Sequence, residues 1–178
     1  IGKYPLGAVK MINSLIKQYN RWTPNSSFED ILFDWKYLTM KNAAIFWFTG
    51  LSGAGKSTLS LHAKDKLNAN GWTVKILDGD NIRANYNIKL GFNREDIEKN
   101  NMNIVEICKA QRKNYDVLLV PVISPIDHFR KIARKMLEPV FHLIYLSSNI
   151  DSLRKRDPKG LYSKADKGEI DNLIGYSK

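Results

Sequence analysis

Four side chains in this sequence are spaced to handle phosphate chemistry. Lys56 and Ser57 close the stretch Gly50-Leu51-Ser52-Gly53-Ala54-Gly55-Lys56-Ser57, a full G-x-x-x-x-G-K-[ST] pattern continued by Thr58. Its glycines let backbone N–H groups curl around phosphate oxygens, and a helix that starts directly behind them adds a field favourable to anions. The Lys56 ammonium reaches β- and γ-phosphates, and the Ser57 hydroxyl is a ligand for Mg²⁺. Asp78 and Asp80, separated only by Gly79, supply the second pair. Alone, D-G-D is often a turn. Opposite a phosphate loop, its two carboxylates can hold Mg²⁺ through water and accept a proton from an attacking hydroxyl.

These groups converge only if particular elements carry them. Ile45-Phe46-Trp47-Phe48-Thr49 reads as a buried strand and residues 58–68 as the helix behind the glycine loop, the context the motif requires. Gly71 ends that helix, and residues 73–77 form a strand that delivers Asp78 and Asp80 at its carboxyl end, where ligands gather in parallel sheets. Residues 94–109 are helical. Residues 115–123 make the most apolar strand and hence a central one, a helix follows over 128–137, and 141–146 is another strand. The alternation implies an α/β fold: a three-layer α/β/α sandwich with a parallel sheet, the P-loop nucleoside triphosphate hydrolase/kinase architecture. A short helix over 151–156 leads into Asp157-Pro158-Lys159-Gly160-Leu161-Tyr162, a basic Gly/Pro-bearing segment able to close over a nucleotide as a lid.

Composition narrows the function classes. The chain has 178 residues, 43% of them hydrophobic, and no apolar run reaches the roughly 18 residues of a membrane span. No secretory pattern is present, and the single Cys108 fits a reducing compartment, so a cytoplasmic location is expected. The net charge of +10 invites a nucleic-acid reading. No stretch concentrates that charge, however, and no basic strand is interleaved with aromatics; a cleft for polyanionic nucleotides needs a positive field anyway. No nucleic-acid or membrane partner is expected. His62, His128 and His142 share no metal-ligand spacing.

Residues 1–42 read as a helical appendage or linker ahead of a kinase domain over 43–178. Ala8, Val9, Ile12, Leu15, Ile16 and Tyr19 recur at helical spacing, and Ser26 with Glu29 has the spacing of a capping box. Ile1-Gly2-Lys3-Tyr4-Pro5-Leu6-Gly7-Ala8-Val9-Lys10-Met11 resembles a short segment of pyruvate kinases. With an opening residue other than Met, this suggests a piece of a longer polypeptide, fused to a pyruvate-kinase-like part.

From the phosphate loop onward the sequence resembles the adenylylsulfate (APS) kinase family over about residues 44–175. The matching stretches run from Phe46 to Leu59, from Leu77 to Arg83 (Leu77-Asp78-Gly79-Asp80-Asn81-Ile82-Arg83), and through Leu90-Gly91-Phe92 and Ile123-Ser124-Pro125. They continue in Arg156-Asp157-Pro158-Lys159-Gly160-Leu161-Tyr162, Lys164-Ala165 and Gly168-Glu169-Ile170. The resemblance implies transfer of the ATP γ-phosphoryl group to the ribose 3′-hydroxyl of adenylylsulfate, with Mg²⁺ as cofactor, giving 3′-phosphoadenylylsulfate. It implies that Gly50 to Thr58 and Arg156 bind ATP, that Lys56, Asp78 and Asp80 are catalytic, and that Ser57 and Asp78 serve the metal. Asp80, Arg83, Phe92, Asn100, Ile123, Ser124, Lys159 and Leu161 fall at acceptor-nucleotide positions, with Phe92 stacking on the base. Homodimerisation follows from the resemblance, not from any pattern in the residues.

The acceptor side departs from the family. Ile97 stands where the family has an arginine that contacts the acceptor, Ile126-Asp127 where it has Tyr-Arg, and Leu173 where it has a second aromatic for the base. Ala84-Asn85-Tyr86-Asn87-Ile88-Lys89 replaces a conventional H-G-L-N-x-D, and Lys99 reverses a charge. Losing one charge-assisted contact costs about 1.5–3 kcal/mol, with Arg94 or Arg130 near enough in sequence to compensate. The acceptor therefore stays open between adenylylsulfate and another nucleotide, such as a cytidine diphosphoramidate-type compound. A non-catalytic nucleotide-binding domain of a fused enzyme is the third reading, against which the four intact groups at Lys56, Ser57, Asp78 and Asp80 argue. The sequence also lacks the family's last edge strand, and the expectation is that the N-terminal helices or a partner subunit cover that edge.

Overall fold

A computed structural model describes residues 43–84, 93–170 and 173–176. The chain divides into two compact units, Ile1–Lys41 and Asn42–Lys178, and every described residue lies in the second. The expected N-terminal helices and the expected cover of the sheet edge fall outside the described residues. So does the Leu90-Gly91-Phe92 turn.

Strands β1 (Ala44–Thr49), β2 (Val74–Ile76), β3 (Val117–Pro121) and β4 (Phe141–Tyr145) form one sheet in the order β2-β3-β1-β4. All of its pairings are parallel: Ala44 faces Val117, Ile45 faces Phe141, and Val74 faces Val117. The two interior strands are the most apolar, as burial on both faces requires. β3 is buried at every position and β1 at all but Phe46.

Helix α1 (Lys56–Ala69) follows β1, and α2 (Gly79–Ala84) follows β2. Helices α3 (Arg94–Gln111) and α4 (Asp127–Leu137) flank β3 in sequence, and α5 (Ile150–Arg156) and α6 (Leu161–Asp166) follow β4. The strands' alternation sorts the core. Ile45 and Trp47 of β1, Leu118 and Val120 of β3, and Phe141 of β4 pack with Ile104, Val105 and Cys108 of α3 and with Ala133 and Leu137 of α4. Helix α1 packs against β2 and β3 from elsewhere in the fold. Helices thus sandwich the sheet, the α/β/α arrangement the sequence implies. Burial raises the Cys108 thiol to about 12, so this cysteine is a packing residue and not a nucleophile.

What this fold does for function happens at the carboxyl ends of the strands. Leu77 N–H donates to the Leu119 carbonyl at 2.8 Å, Val122 N–H to Phe48 at 3.1 Å, and Leu146 N–H to Thr49 at 2.8 Å. These bonds extend the ladder one step past the strands. The loops after β1, β2 and β3 therefore leave the sheet at one edge. Chain order reverses beside β1, with β3 on one side and β4 on the other, the crevice where ligands bind in open α/β sheets.

Candidate active site

The loop between β1 and α1 is shaped by glycine. Gly50 has φ +147°, and a Cβ there would lie 2.6 Å from the Leu146 carbonyl oxygen, so a side chain is excluded by backbone. Gly55 caps α1 in the left-handed conformation, at φ 92° and ψ 17°. This lets the helix begin at Lys56, two residues before the start expected from apolar spacing, and puts Lys56 and Ser57 in its first turn. Backbone N–H groups of a first helical turn have no intrahelical partner and point outward as anion donors.

Lys56 is held back against its own loop: its Nζ donates to the Gly50 and Leu51 carbonyls, each at 2.8 Å. Burial, and then the neighbouring Lys159, lower its pKa from 10.5 to about 8, against the opposing pull of Asp80 and Asp78. The Ser57 hydroxyl donates to Asp78 Oδ2 at 2.9 Å, while Asp78 Oδ1 accepts the N–H groups of Asp80 at 2.9 Å and Asn81 at 3.3 Å. Asp78 therefore both caps α2 and faces Ser57. Gly79 lets this turn press on β3, because a Cβ there would meet Val122 Cγ2 at 2.7 Å. Asp80 projects further out and pairs with Lys159.

A cleft of about 290 Å³ opens between these groups. Ser52, Gly53, Gly55, Lys56, Ser57, Thr58 and Asp80 line one part of it, and Ile123, Lys159 and Leu161 another. Ten residues expected at the site thus share one cavity. Pro121, Val122, Pro158, Ile170, Leu173 and Ile174 complete the lining. Leu173, flagged in the sequence only as a departure, sits in the wall itself. Val122 and Pro121 escaped notice because their alternation reads as sheet interior, although the strand's end forms the cleft floor.

The other expected site residues lie outside that lining. Gly50, Leu51 and Ala54 form the back of the loop, with Ala54 packed on Leu153 and Tyr162. Arg156 is exposed at the end of α5, where its Nε donates to the Ser152 carbonyl at 3.2 Å. Asn100 is 2% exposed with its side-chain oxygen unpartnered among the described residues, and Ser124 is fully buried with its hydroxyl in the same condition. Arg83 is half-buried on α2. Phe92 falls outside the described residues.

Two departures from the family pattern have structural consequences. Ile97 is 5% exposed in α3 and belongs to the apolar interior. Asp127 opens α4 and pairs with Arg130 at 3.0 Å and Lys131 at 2.8 Å. Arg130 also donates to the Ser124 carbonyl at 2.6 Å, so its guanidinium braces the β3–α4 loop. The basic segment after α5 is more ordered than a loop reading suggests. Asp157 accepts the N–H groups of Tyr162 at 3.2 Å and Ser163 at 2.9 Å, which caps α6 from within the segment.

The residues fit a Mg²⁺ ion in kind. Ser57 and Asp78 present a hydroxyl and a carboxylate oxygen one hydrogen bond apart, hard donors of the type Mg²⁺ takes alongside phosphate oxygens and retained waters. Among the described residues no group of three or more His, Cys, Asp or Glu forms a metal cage. Of the histidines, His142 stacks on Phe46 with centroids 5.2 Å apart, and His128 packs edge-on against Phe129.

A phosphate loop at the switch point of a parallel sheet, facing a carboxylate pair, defines a P-loop phosphotransferase. The model of the adenylylsulphate kinase family matches residues 42–178, and the chain belongs to that family. It is 41% identical over 135 residues to the adenylyl-sulfate kinase of Clostridium acetobutylicum, covering 76% of this chain and 68% of that one. It is 42% identical over 141 residues to the bifunctional enzyme NodQ of Rhizobium meliloti, covering 78% of this chain and 22% of that one. Among solved structures, the APS kinase of Mycobacterium tuberculosis in complex with AMPPNP and APS superposes with a TM-score of 0.73 at 35% identity, covering 78% of this chain and 82% of that one. None of these relatives is a pyruvate kinase. No helix among the described residues is long and apolar enough to cross a membrane.

Proposed function

We propose that this chain transfers the γ-phosphoryl group of ATP to the ribose 3′-hydroxyl of adenylylsulfate, with residues 43–178 carrying the chemistry and residues 1–42 an appendage to it. The observation that carries the reading is the single cleft on which Lys56, Ser57 and Asp80 converge with Ile123, Lys159 and Leu161. It has a donor end built for phosphates and an acceptor end with an apolar wall.

The roles follow from position. The loop amides and the α1 N-terminus take the β- and γ-phosphates, and Lys56 exchanges its loop carbonyls for phosphate oxygens as the nucleotide enters. Asp80 accepts the proton of the attacking hydroxyl. Its contact with Lys159 loosens as the acceptor arrives, and Lys159 is then placed to meet the acceptor's phosphosulfate charge. Ser57 and Asp78 would hold Mg²⁺, which neutralises charge on the transferring group when bound. The apolar wall excludes water, which favours transfer over hydrolysis. The single buried Cys108 is consistent with action in a reducing cytoplasm.

A second acceptor stays in view because Leu173, and not an aromatic side chain, forms part of the wall, beside Ile174. A different base, such as that of a cytidine nucleotide, would meet the same aliphatic surface. Coupled measurement of ADP release separates the two. Release dependent on adenylylsulfate and absent with cytidine nucleotides is the expected result. Retained ATP binding without adenylylsulfate-dependent turnover rejects the proposal.

A further inference from the structure

Tyr162 belongs to no group that touches the reacting atoms, yet it bridges the two ends of the cleft. It is 1% exposed, and its hydroxyl donates to the Ser52 carbonyl at 2.9 Å, across 110 residues of chain. Ser52 lies in the phosphate loop. Lys159 and Leu161, which line the acceptor end, lie three residues and one residue before Tyr162.

Other contacts make the bridge stiff. The Tyr162 ring packs with Ala54 of the loop and Leu153 of α5 and meets Tyr176 edge-on at 5.3 Å. Asp157 fixes the backbone at Tyr162 and Ser163 by accepting their N–H groups. On the far side, Arg154 pairs with Asp166 at 2.8 Å, and Tyr176 donates to the same carboxylate. Among the described residues, this braced segment meets the phosphate loop through the Tyr162–Ser52 hydrogen bond. Burial, with Asp157 beside it, keeps the Tyr162 phenol above its ordinary pKa, so the hydroxyl stays a donor.

We infer that Tyr162 is a positioning residue that sets the spacing between the phosphate loop and the Lys159–Leu161 segment, and so aligns acceptor with donor. The inference rests on the phosphotransfer reading above for its kinetic consequence, but its structural consequence is independent of the acceptor's identity. A part-buried hydrogen bond between two substrate-binding pieces affects their registration more than the binding of either ligand.

Tyr162→Phe tests it, since the ring and its packing remain and one oxygen is lost. Amide hydrogen exchange on the full chain should quicken about fivefold in residues 50–58 and 157–164, the equivalent of about 1 kcal/mol for one hydrogen bond, with the strands unchanged. In turnover with adenylylsulfate, kcat should fall five- to tenfold while KM for ATP stays within twofold, and the ratio of ATP hydrolysis to transfer should rise. Unchanged exchange in both segments overturns the inference. So does quickening spread evenly over the sheet, with kcat and the KM for ATP worsening together, which marks a general stability role. If the wild-type chain does not phosphorylate adenylylsulfate, the functional reading fails, and the exchange result still decides the role of Tyr162.

Discussion

The two ends of the cleft are assembled in different ways. At the proposed donor end, Lys56, Ser57 and Asp78 hydrogen-bond within one loop and to the turn after β2, so geometry and charge come from a contiguous stretch plus one further strand end. At the proposed acceptor end, Ile123, the Lys159–Leu161 segment and Leu173 arrive from separate parts of the chain, and the Ser124 hydroxyl and the Asn100 side-chain oxygen, expected to serve the acceptor, are buried without partners among the described residues. A phosphate is recognised through backbone N–H groups, which side-chain changes leave untouched. A particular acceptor is recognised through side chains, which single substitutions rewrite. The proposal accordingly has an intact donor end, carried by Lys56, Ser57 and Asp78, and an acceptor end that departs from the family pattern at Ile97, Ile126-Asp127 and Leu173.

The contrast can be broken at Lys56, where the largest effect is expected. Lys56→Ala removes the cation that balances the transferring charge and should lower kcat on the order of 10³-fold, measured by single-turnover ADP formation. Asp80→Asn comes next: loss of the proton acceptor should reduce kcat about 10²-fold and leave the Kd for an ATP analogue nearly unchanged by calorimetry. An equal loss in both quantities would place Asp80 on the donor side instead.

Smaller effects sharpen the acceptor side. Leu173→Phe restores an aromatic surface to the wall and should lower the acceptor KM roughly three- to tenfold, the equivalent of about 0.5–1.5 kcal/mol of ring contact, with KM for ATP unmoved. An unmoved acceptor KM would show that the base sits elsewhere. The smallest effect is a proton count. Lys56, at about 8 in the free chain, is largely neutral at pH 9 and is recharged by the polyanion, so ATP binding should take up a fraction of a proton there and less at pH 7. Calorimetry in buffers of different ionisation enthalpy reads this directly, and proton release would contradict it.

Much of this was legible in the sequence because the signals are local. β1, the phosphate loop and α1 form one unbroken stretch, and the apolar run of β3 marks an interior strand. Where contacts are distant, the reading thinned. The segment after α5 looks like a basic loop because its order comes from the Asp157 caps and the Tyr162 bond to Ser52, and no periodicity encodes those. Arg156, expected to serve ATP, lies on the exposed end of α5. Ile97 and Asp127 stood out as departures, but only packing showed one absorbed into the core and the other bracing Arg130. Family resemblance located Leu173 as a missing aromatic, and the fold turned that position into a wall of the cleft.

The central claim is that an intact donor end delivers phosphoryl to the 3′-oxygen of adenylylsulfate. The most direct measurement is phosphorus NMR of the product after the 178-residue chain has consumed ATP in the presence of adenylylsulfate and Mg²⁺. One phosphoryl group on the ribose 3′-oxygen for each ADP formed is the expected result. ADP with free phosphate and unmodified adenylylsulfate, or phosphoryl at another position, would contradict it.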